Sequence, residues 1–300
     1  MRTLAKRIGC MNVLSLSILL STFSASSVAV ADDLDLIFVS DFYDKTGALV
    51  ATDNAYLVAQ FIQNSSVSDV LATEVNNSTG TAAQYNSYID PVWSPFKSIT
   101  HAVPGNHDYY VANAAGFKSY FNVSTTYSSF TRTVGSTTWK IIGLDSNMAS
   151  NQTQQSWLDQ QLDGEQCSIV YFHHPRWSSG NHGSNASMDA IWRILAAHNV
   201  ELAISGHDHN FERFWPKDAD GNWDYNSNGV VQVVAGVGGA SLTNAGTPVD
   251  GSIAIFAQNT DPPSQPGVLM IHLYDFSPMY LGAYLSAQGE ILHYWWGSCY

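Results

Sequence analysis

Charged residues are scarce in this sequence of 300 residues. They make up 12% of the chain, and 12 lysines and arginines stand against 25 aspartates and glutamates, which gives a net charge of −13. A protein that binds nucleic acid through its phosphates needs a basic surface, so this composition disfavours a nuclease or any other nucleic-acid partner. An acidic surface also repels small phosphorylated molecules, and a phosphate site here would require local positive charge, such as a metal ion.

Long apolar runs are also scarce. The one near the start begins at about Val13, follows a positively charged segment and ends in the small-residue sequence SVAVA. This pattern predicts a signal peptide over residues 1–31, followed by a single secreted or periplasmic domain over residues 32–300. A membrane anchor is the alternative, although the run is short and rich in serine. No later run is long and apolar enough for stable membrane insertion.

Cysteine is rare too, and two cysteines remain when the predicted leader is set aside. In an exported protein Cys167 and Cys299 are a candidate disulfide, and two buried free thiols are the alternative. Closing so long a loop would stabilise the fold by about 4–5 kcal/mol in the chain-entropy model.

The pattern of apolar residues changes along the chain. Strand-length runs alternate with helical patterns up to about residue 229, and only strand patterns follow. This order predicts an α/β core whose second half adds a sheet. Among the elements predicted are strands at 34–41 and 68–75, a hairpin turning at Gly135-Ser136, and helices at 52–63, 152–162 and 187–199.

Polar side chains that can bind a metal follow four of the apolar runs. They are Asp41, Asn106 with His107, His173 with His174, and His207 with His209. In open α/β sheets, sites form beyond the carboxyl ends of strands. A carboxylate, an amide and several imidazoles suit a borderline divalent ion such as zinc, manganese or iron. The sequence therefore predicts a metal site at the strand ends.

The motifs VSD, GNHD, HHP and GHDHNFER, in this order, resemble those of the calcineurin-like metallophosphoesterase superfamily. The longer stretches VPGNHDYY, YFHHPRWSSGNHG and SGHDHNFERF are similar to an exported bacterial branch related to purple acid phosphatases. The resemblance implies an α/β fold in which two mixed β-sheets pack face to face with helices outside. It also implies a site for two metal ions on the loops at the strand ends.

The resemblance assigns a role to each motif residue. It implies that Asp41 and His209 bind the first metal, and that Asn106, His173 and His207 bind the second.

Further roles follow from the same resemblance. His107 would protonate or orient the leaving oxygen, and His182 would position the substrate. His174 would support the metal ligands from behind. From their positions beside the motifs, Asp108 could be the partner of His107 or a brace of its loop, and Arg213 could contact phosphate or brace the histidine loop.

One part of the family pattern is missing. The superfamily places Gly-Asp-Asn after a second strand, and its aspartate bridges the two metals. The best register sets Glu74-Val75-Asn76 against it, so that Val75 replaces the bridging aspartate. Ser78 then replaces a tyrosine that binds ferric iron in purple acid phosphatases, which disfavours a ferric centre.

Three interpretations of this departure are open. Glu74 could enter the site as a substitute ligand through a bulge, since neighbouring side chains of a strand face opposite ways. The protein could instead bind one metal well and a second weakly, or it could be a non-catalytic protein that binds metal or a phosphorylated ligand. We predict an exported phosphoesterase with one or two zinc, manganese or iron ions. It would hydrolyse small phosphomonoesters by metal-activated water, with His107 as general acid.

Overall fold

The computed structural model describes residues 33–45, 47–164, 167–223 and 229–299. The predicted leader lies outside the described residues. The described strands are β1 Leu34–Ser40, β2 Asp69–Thr73, β3 Thr100–Val103, β4 Ser128–Val134, β5 Thr137–Gly143, β6 Cys167–Tyr171, β7 Leu202–Ser205, β8 Phe211–Phe214, β9 Val231–Ala235, β10 Ser252–Phe256, β11 Gly267–Leu273, β12 Met279–Ser286 and β13 Ile291–Ser298.

The α-helices are mostly short. They are α1 Asn54–Asn64, α2 Ala82–Gln84, α3 Asp90–Trp93, α4 Ala115–Phe121, α5 Gln152–Leu162 and α6 Asp189–Ala197. A π-helical turn, Tyr85–Ile89, joins α2 to α3. The 3₁₀ turns are Ser94–Ile99, His107–Tyr110, Ala112–Ala114, Ser146–Met148 and Ala186–Met188. Among the described residues, no helix has the length and apolar character that a bilayer crossing requires.

The strands form two mixed sheets, as predicted for the fold class. The first has the order β13-β12-β11-β1-β2-β3, with β1 to β3 parallel and the other pairs antiparallel. The second has the order β10-β8-β9-β7-β6-β5-β4, and β5, β6, β7 and β9 are parallel. The prediction that the second half adds a sheet is wrong. β9 and β10 extend the second sheet, and β11 to β13 extend the first beside β1.

The sequence of β1 shows how the layers are held together. Along LDLIFVS, Leu36 and Phe38 belong to the core between the two sheets, where they join Ile141 of β5 and Ile169 of β6. Ile37 and Val39 belong to a second core, which packs against the helices. Because successive side chains of a strand face opposite ways, a continuous apolar run buries both faces. The two sheets therefore pack face to face, with helices outside.

Helices cover the outer face of each sheet. The core outside the first sheet includes Val58 and Ile62 of α1. The core outside the second sheet includes Leu158 of α5, and Ile191 and Leu195 of α6. The spacing of four residues within α1 and within α6 places each pair on one side of its helix.

A disulfide joins Cys167 to Cys299, as predicted. Cys167 begins β6 in the second sheet, and Cys299 follows β13 in the first. The bond therefore ties the two layers of the sandwich together across a sequence separation of 132 residues.

Candidate metal centre

Five parallel strands from both sheets end in the same region, and each carries a potential ligand beyond its carboxyl end. They are β1 with Asp41, β2 with Glu74, β3 with Asn106, β6 with His173 and β7 with His207. This is the edge at which α/β sheets form binding sites.

The imidazole of His173 lies at the centre of one group of ligand atoms. Its Nε2 is 3.0 Å from Asn106 Oδ1, 3.2 Å from His207 Nδ1 and 3.1 Å from Glu74 Oε2. His173 is fully buried, and its Nδ1 lies 3.4 Å from the hydroxyl of Thr73. The structure thus brings together the three residues predicted for the second metal, with a carboxylate beside them.

A second group of ligand atoms lies around Asp41. Its Oδ1 is 3.0 Å from Asn77 Nδ2 and 3.4 Å from His209 Nε2. The other nitrogen of His209, Nδ1, donates to the carbonyl of Ser241 at 2.8 Å, which leaves Nε2 facing Asp41. Glu74 Oε2 is also 3.0 Å from Asn77 Nδ2, so the Glu74 carboxylate lies between the two groups.

Three of these residues have left-handed backbone conformations. The φ angles are 56° at Asp41, 44° at Glu74 and 71° at His207. Such conformations are uncommon for residues other than glycine, and they cluster at functional sites. Each turns the chain abruptly just beyond its strand, and this directs the side chain into the site.

The conformation of Glu74 corrects the register drawn from the sequence. Val75 is 1% exposed and packs in the core between the first sheet and its helices. Glu74, one residue earlier, supplies the carboxylate between the two ligand groups. The expected bulge does not occur within β2, which pairs regularly with β1 and β3. With this register, the residue three positions after the carboxylate is Asn77 and not Ser78.

The electrostatics of the site fit bound cations. Asp41 and Glu74 are almost completely buried, and in the described part of the chain neither forms an ion pair with a lysine or arginine. Burial alone would raise the pKa of Asp41, but His173 and His209 lower it by more than burial raises it. The net pKa lies well below its ordinary value. Burial opposes protonation of His209, yet Asp41 raises its pKa to about 9. Two buried carboxylates with imidazoles and amides are a donor set for divalent metals.

The comparison with protein families agrees with this geometry. The profile of the calcineurin-like phosphoesterase family matches residues 37–211, a range that contains all the ligand candidates described above. The chain belongs to this family. The predicted superfamily is therefore confirmed, whereas the exported bacterial branch stays a prediction.

Relatives of this chain include mammalian acid phosphatases. It is 33% identical over 69 residues to tartrate-resistant acid phosphatase type 5 of Sus scrofa, covering 22% of this chain and 20% of that protein. The match to the Rattus norvegicus protein is 34% over 90 residues, or 29% and 24% of the two chains. The chain thus spans about a fifth to a quarter of the length of these relatives.

Solved structures with the same fold cover more of the chain. Purple acid phosphatase PPD1 from yellow lupin (Lupinus luteus) seeds superposes with a TM-score of 0.71 at 14% identity, covering 89% of this chain and 54% of that one. GAP50, the anchor in the inner membrane complex of Plasmodium, superposes with a TM-score of 0.64 at 17% identity, covering 89% of both chains. At these identities the likeness establishes the fold alone.

His107 lies beside the carboxylate of Glu74. Its backbone N–H donates to Glu74 Oε1 at 2.6 Å, and its ring Nδ1 donates to the carbonyl of Ser78 at 2.6 Å. Since a carbonyl only accepts, Nδ1 carries the hydrogen and Nε2 is left for another partner. The ring centre is 4.8 Å from that of Tyr110, which is 65% exposed.

Two other predicted histidines flank His207, a candidate ligand. The ring of His182 is exposed and lies 4.2 Å from that of His207, and its backbone N–H donates to Asp208 Oδ1. The ring of His174 lies 4.5 Å from that of His207, and its Nδ1 is 2.8 Å from Ser146 Oγ. His173, His174 and His207 are also close enough to share one ion.

Asp108 braces the loop before it. It is fully buried and accepts hydrogen bonds from the Tyr85 hydroxyl at 2.7 Å and from the backbone of Gly105 at 3.0 Å. The ring of His107 bonds elsewhere, to Ser78. Of the two roles open for Asp108, the structure places it as a brace and not as the partner of the His107 ring.

The prediction that Arg213 supports the site is wrong. Its Nε donates to His293 at 3.0 Å, and its guanidinium lies over the ring of Trp295. Arg213 is on the same face of β8 as Phe211, a member of the core between the sheets. That face points toward β13, whereas the candidate ligands His207 and His209 lie on the loop before β8.

Sequence reasoning missed two buried residues of the site, Asn77 and Asp208. Asn77 lies in the sequence VNNST, which reads as an ordinary polar loop. Asp208 left a signal, because it stands between the two ligand candidates of GHDH. It accepts from Ser178 Oγ and from the backbone of His182, and so fixes the loop that carries His182.

Proposed function

We propose that this chain is an exported metal-dependent phosphoesterase that hydrolyses small phosphomonoesters. The observation that carries the proposal is the position of the Glu74 carboxylate between two groups of ligand atoms. Oε2 is 3.0 Å from Asn77 in the first group and 3.1 Å from His173 in the second. A carboxylate between two cations offsets their mutual repulsion. The sequence register that set Val75 at this position provided no such carboxylate.

The positions of the candidate ligands support a site for two ions. Asp41 and His209 would hold the first, Glu74 would be shared, and the second would be held by Asn106, His173 and His207. Zinc, manganese or iron(II), when bound, supplies positive charge to the phosphate oxygens and makes water acidic enough to act as nucleophile at neutral pH.

His107 is the proposed general acid. Hydrolysis forms a bond between water oxygen and phosphorus and breaks the ester P–O bond, so the leaving oxygen needs a proton. The hydrogen bond from Nδ1 to the Ser78 carbonyl orients the ring. Nε2 would donate the proton from the imidazolium form, in which both nitrogens carry hydrogen, and the ring would be left neutral. The bond from its backbone to Glu74 holds His107 at a fixed place relative to the metal ligands.

Recognition of phosphate would depend on the cations and on neutral donors. In the described part of the chain, Arg176 pairs with Asp189 and Arg213 with His293, so neither arginine reaches the ligands. His182, exposed beside a ligand, is the proposed substrate-positioning residue. This arrangement suits a small substrate and offers no basic surface to nucleic acid.

Export is proposed from the leader pattern in residues 1–31, and the disulfide supports it because such bonds persist in oxidising compartments. The mass of protein recovered from the culture medium or periplasm tests it. A mature chain that begins at residue 32 is expected, and a chain retained in the cytoplasm with its leader intact would contradict it.

The activity test uses a chromogenic phosphomonoester with added manganese or zinc. We expect turnover that a chelator and His207→Ala both abolish. His107→Ala should lower kcat by about 10²–10⁴-fold while the metal content stays the same. His198→Ala, at a histidine that pairs with Asp159, is the matched control and should be silent. Bound metal without turnover would favour the non-catalytic alternative.

A further inference from the structure

Asn77 occupies a distinctive place in the centre. Its Nδ2 lies 3.0 Å from Asp41 Oδ1, 3.0 Å from Glu74 Oε2 and 3.1 Å from His209 Nε2. The residue is 5% exposed. Three atoms that would bind the first cation therefore surround a single amide nitrogen.

The chemistry of these groups fixes which end of the amide faces them. Carboxylate oxygens only accept hydrogen bonds, and the amide nitrogen only donates. The nitrogen thus satisfies both buried carboxylates, which would otherwise repel each other across a low-dielectric interior. The amide acts here as a neutral substitute for a positive charge.

The same amide has a second end that can serve a cation. Its nitrogen cannot bind a metal because its lone pair is delocalised, whereas its oxygen belongs to the carbonyl class of metal ligands. Within the described residues, Asn77 Oδ1 accepts no hydrogen bond, so a half-turn of the amide breaks no bond on that side.

We propose that Asn77 is a ligand of the first cation and that its amide inverts when the cation binds. This inference rests on the proposed two-metal function. The nitrogen holds Asp41 and Glu74 together without an ion, and Oδ1 faces the ion when it is bound. The first cation then has four protein ligands, with Asp41, Glu74, Asn77 and His209, where the sequence had provided only two.

The neutrality of Asn77 also determines which ions the centre takes. Asp41 and Glu74 are the two negative ligands for both cations, and the imidazoles and amides add no charge. Two divalent ions leave the centre with two uncompensated positive charges, and a ferric ion would leave three. The centre therefore selects divalent ions over ferric iron.

The test compares Asn77→Leu, which keeps the size of the side chain and removes the amide, with Asn77→Asp, which keeps the shape and adds a charge. Each variant is titrated calorimetrically with Zn²⁺ and with Mn²⁺, and its melting temperature is measured in chelator. Ser78→Asp is the matched control, because it adds the same charge one residue away on a side chain that bonds to Gln84.

Asn77→Leu should bind one of the two equivalents at least about tenfold more weakly. Asn77→Asp should bind that equivalent at least about tenfold more tightly, and yet melt at a lower temperature in chelator, since a third carboxylate then faces the other two. A residue that merely supports the fold would not change affinity and stability in opposite directions.

The outcomes separate this inference from the proposed function. A wild-type chain that binds no metal overturns the function itself. Two equivalents in the wild type with unchanged affinity in both Asn77 variants overturn only the role of Asn77. If Asn77→Leu does not fold, Asn77→Asp decides, and a gain in affinity no larger than that of Ser78→Asp also overturns the inference.

Discussion

A methyl group at residue 105 tests the position of Glu74 without replacing any of the candidate ligands. A Cβ at Gly105 would lie 2.5 Å from both Cβ and Cδ of Glu74, whereas carbon atoms in contact are ordinarily 3.5–4.0 Å apart. Gly105→Ala therefore overlaps Glu74 by about 1 Å, and overpacking of this kind costs about 1–3 kcal/mol. Because the nearest atoms all belong to Glu74, the same substitution should displace its carboxylate and weaken metal binding.

The assay is a double-mutant cycle in urea with chelator present. In a Glu74→Gly background the atoms that clash are gone, and glycine suits the left-handed backbone there. Gly105→Ala should then cost at least about 1 kcal/mol less than in the wild type, because contacting sites couple. Gly246→Ala is the control, since its Cβ would meet only the Ser179 carbonyl at 3.5 Å.

Additive costs would refute the reasoning. If Gly105→Ala destabilises both backgrounds equally within about 0.5 kcal/mol, Glu74 does not face Gly105. The carboxylate would then not lie between the two ligand groups, and the proposal that Glu74 is shared by two cations would be refuted.

Three further predictions concern the substrate, the disulfide and the response to pH. His182→Ala should raise KM in steady-state kinetics by roughly 10- to 100-fold with unchanged metal content, because one hydrogen bond to a charged group is lost. An unchanged KM would show that His182 does not contact the substrate. Replacing Cys167 and Cys299 by alanine should lower the unfolding free energy by about 5 kcal/mol for a separation of 132 residues, measured in urea, and a loss below about 1 kcal/mol would contradict the chain-entropy account. Burial raises the pKa of Glu201 to about 7 from 4.5, so its proton stabilises the fold fully below pH 4.5, and this contribution is lost as the pH rises to about 7. Glu201→Gln should remove a fall in stability of at most about 3 kcal/mol across that range, and an unchanged pH profile would contradict it.

Local patterns predicted much of the fold. The hairpin turns where Gly135-Ser136 placed it, because β4 ends at Val134 and β5 begins at Thr137. Between β2 and β4, a strand was predicted within SITHAVPGNHD, where β3 lies, but the segments on either side of it were not resolved into elements. These segments hold short helical turns of three kinds, and none repeats long enough to set up a 3.6-residue period. The pairing of β11 with β1 could not be predicted either, because an apolar run indicates that a strand is buried and not which strand it pairs with.

The residues of the site also differ in how far the sequence could predict them. His173, His207 and His209 were identified because each stands at a fixed position in a recognisable motif. Asp208 could have been found from its place in GHDH. Asn77 could not, because its role depends on a buried carboxylate that the sequence register had placed elsewhere, and Arg213 was misplaced because proximity in sequence does not reveal which face of a strand a residue takes.

The absence of an aspartate at the family position is therefore poor grounds for inferring a lost site. Thr73 ends a regular strand, and continuing that strand would send the side chain of residue 74 to the face opposite its neighbours. The left-handed backbone at Glu74, with φ of 44°, cancels this alternation for one residue, and Val75 then returns to the core. Glutamate also has one more methylene than aspartate, which extends its reach from the altered backbone. A motif compares residues at positions, whereas a metal centre depends on the directions in which their side chains point, and the two differ wherever the chain leaves the strand conformation.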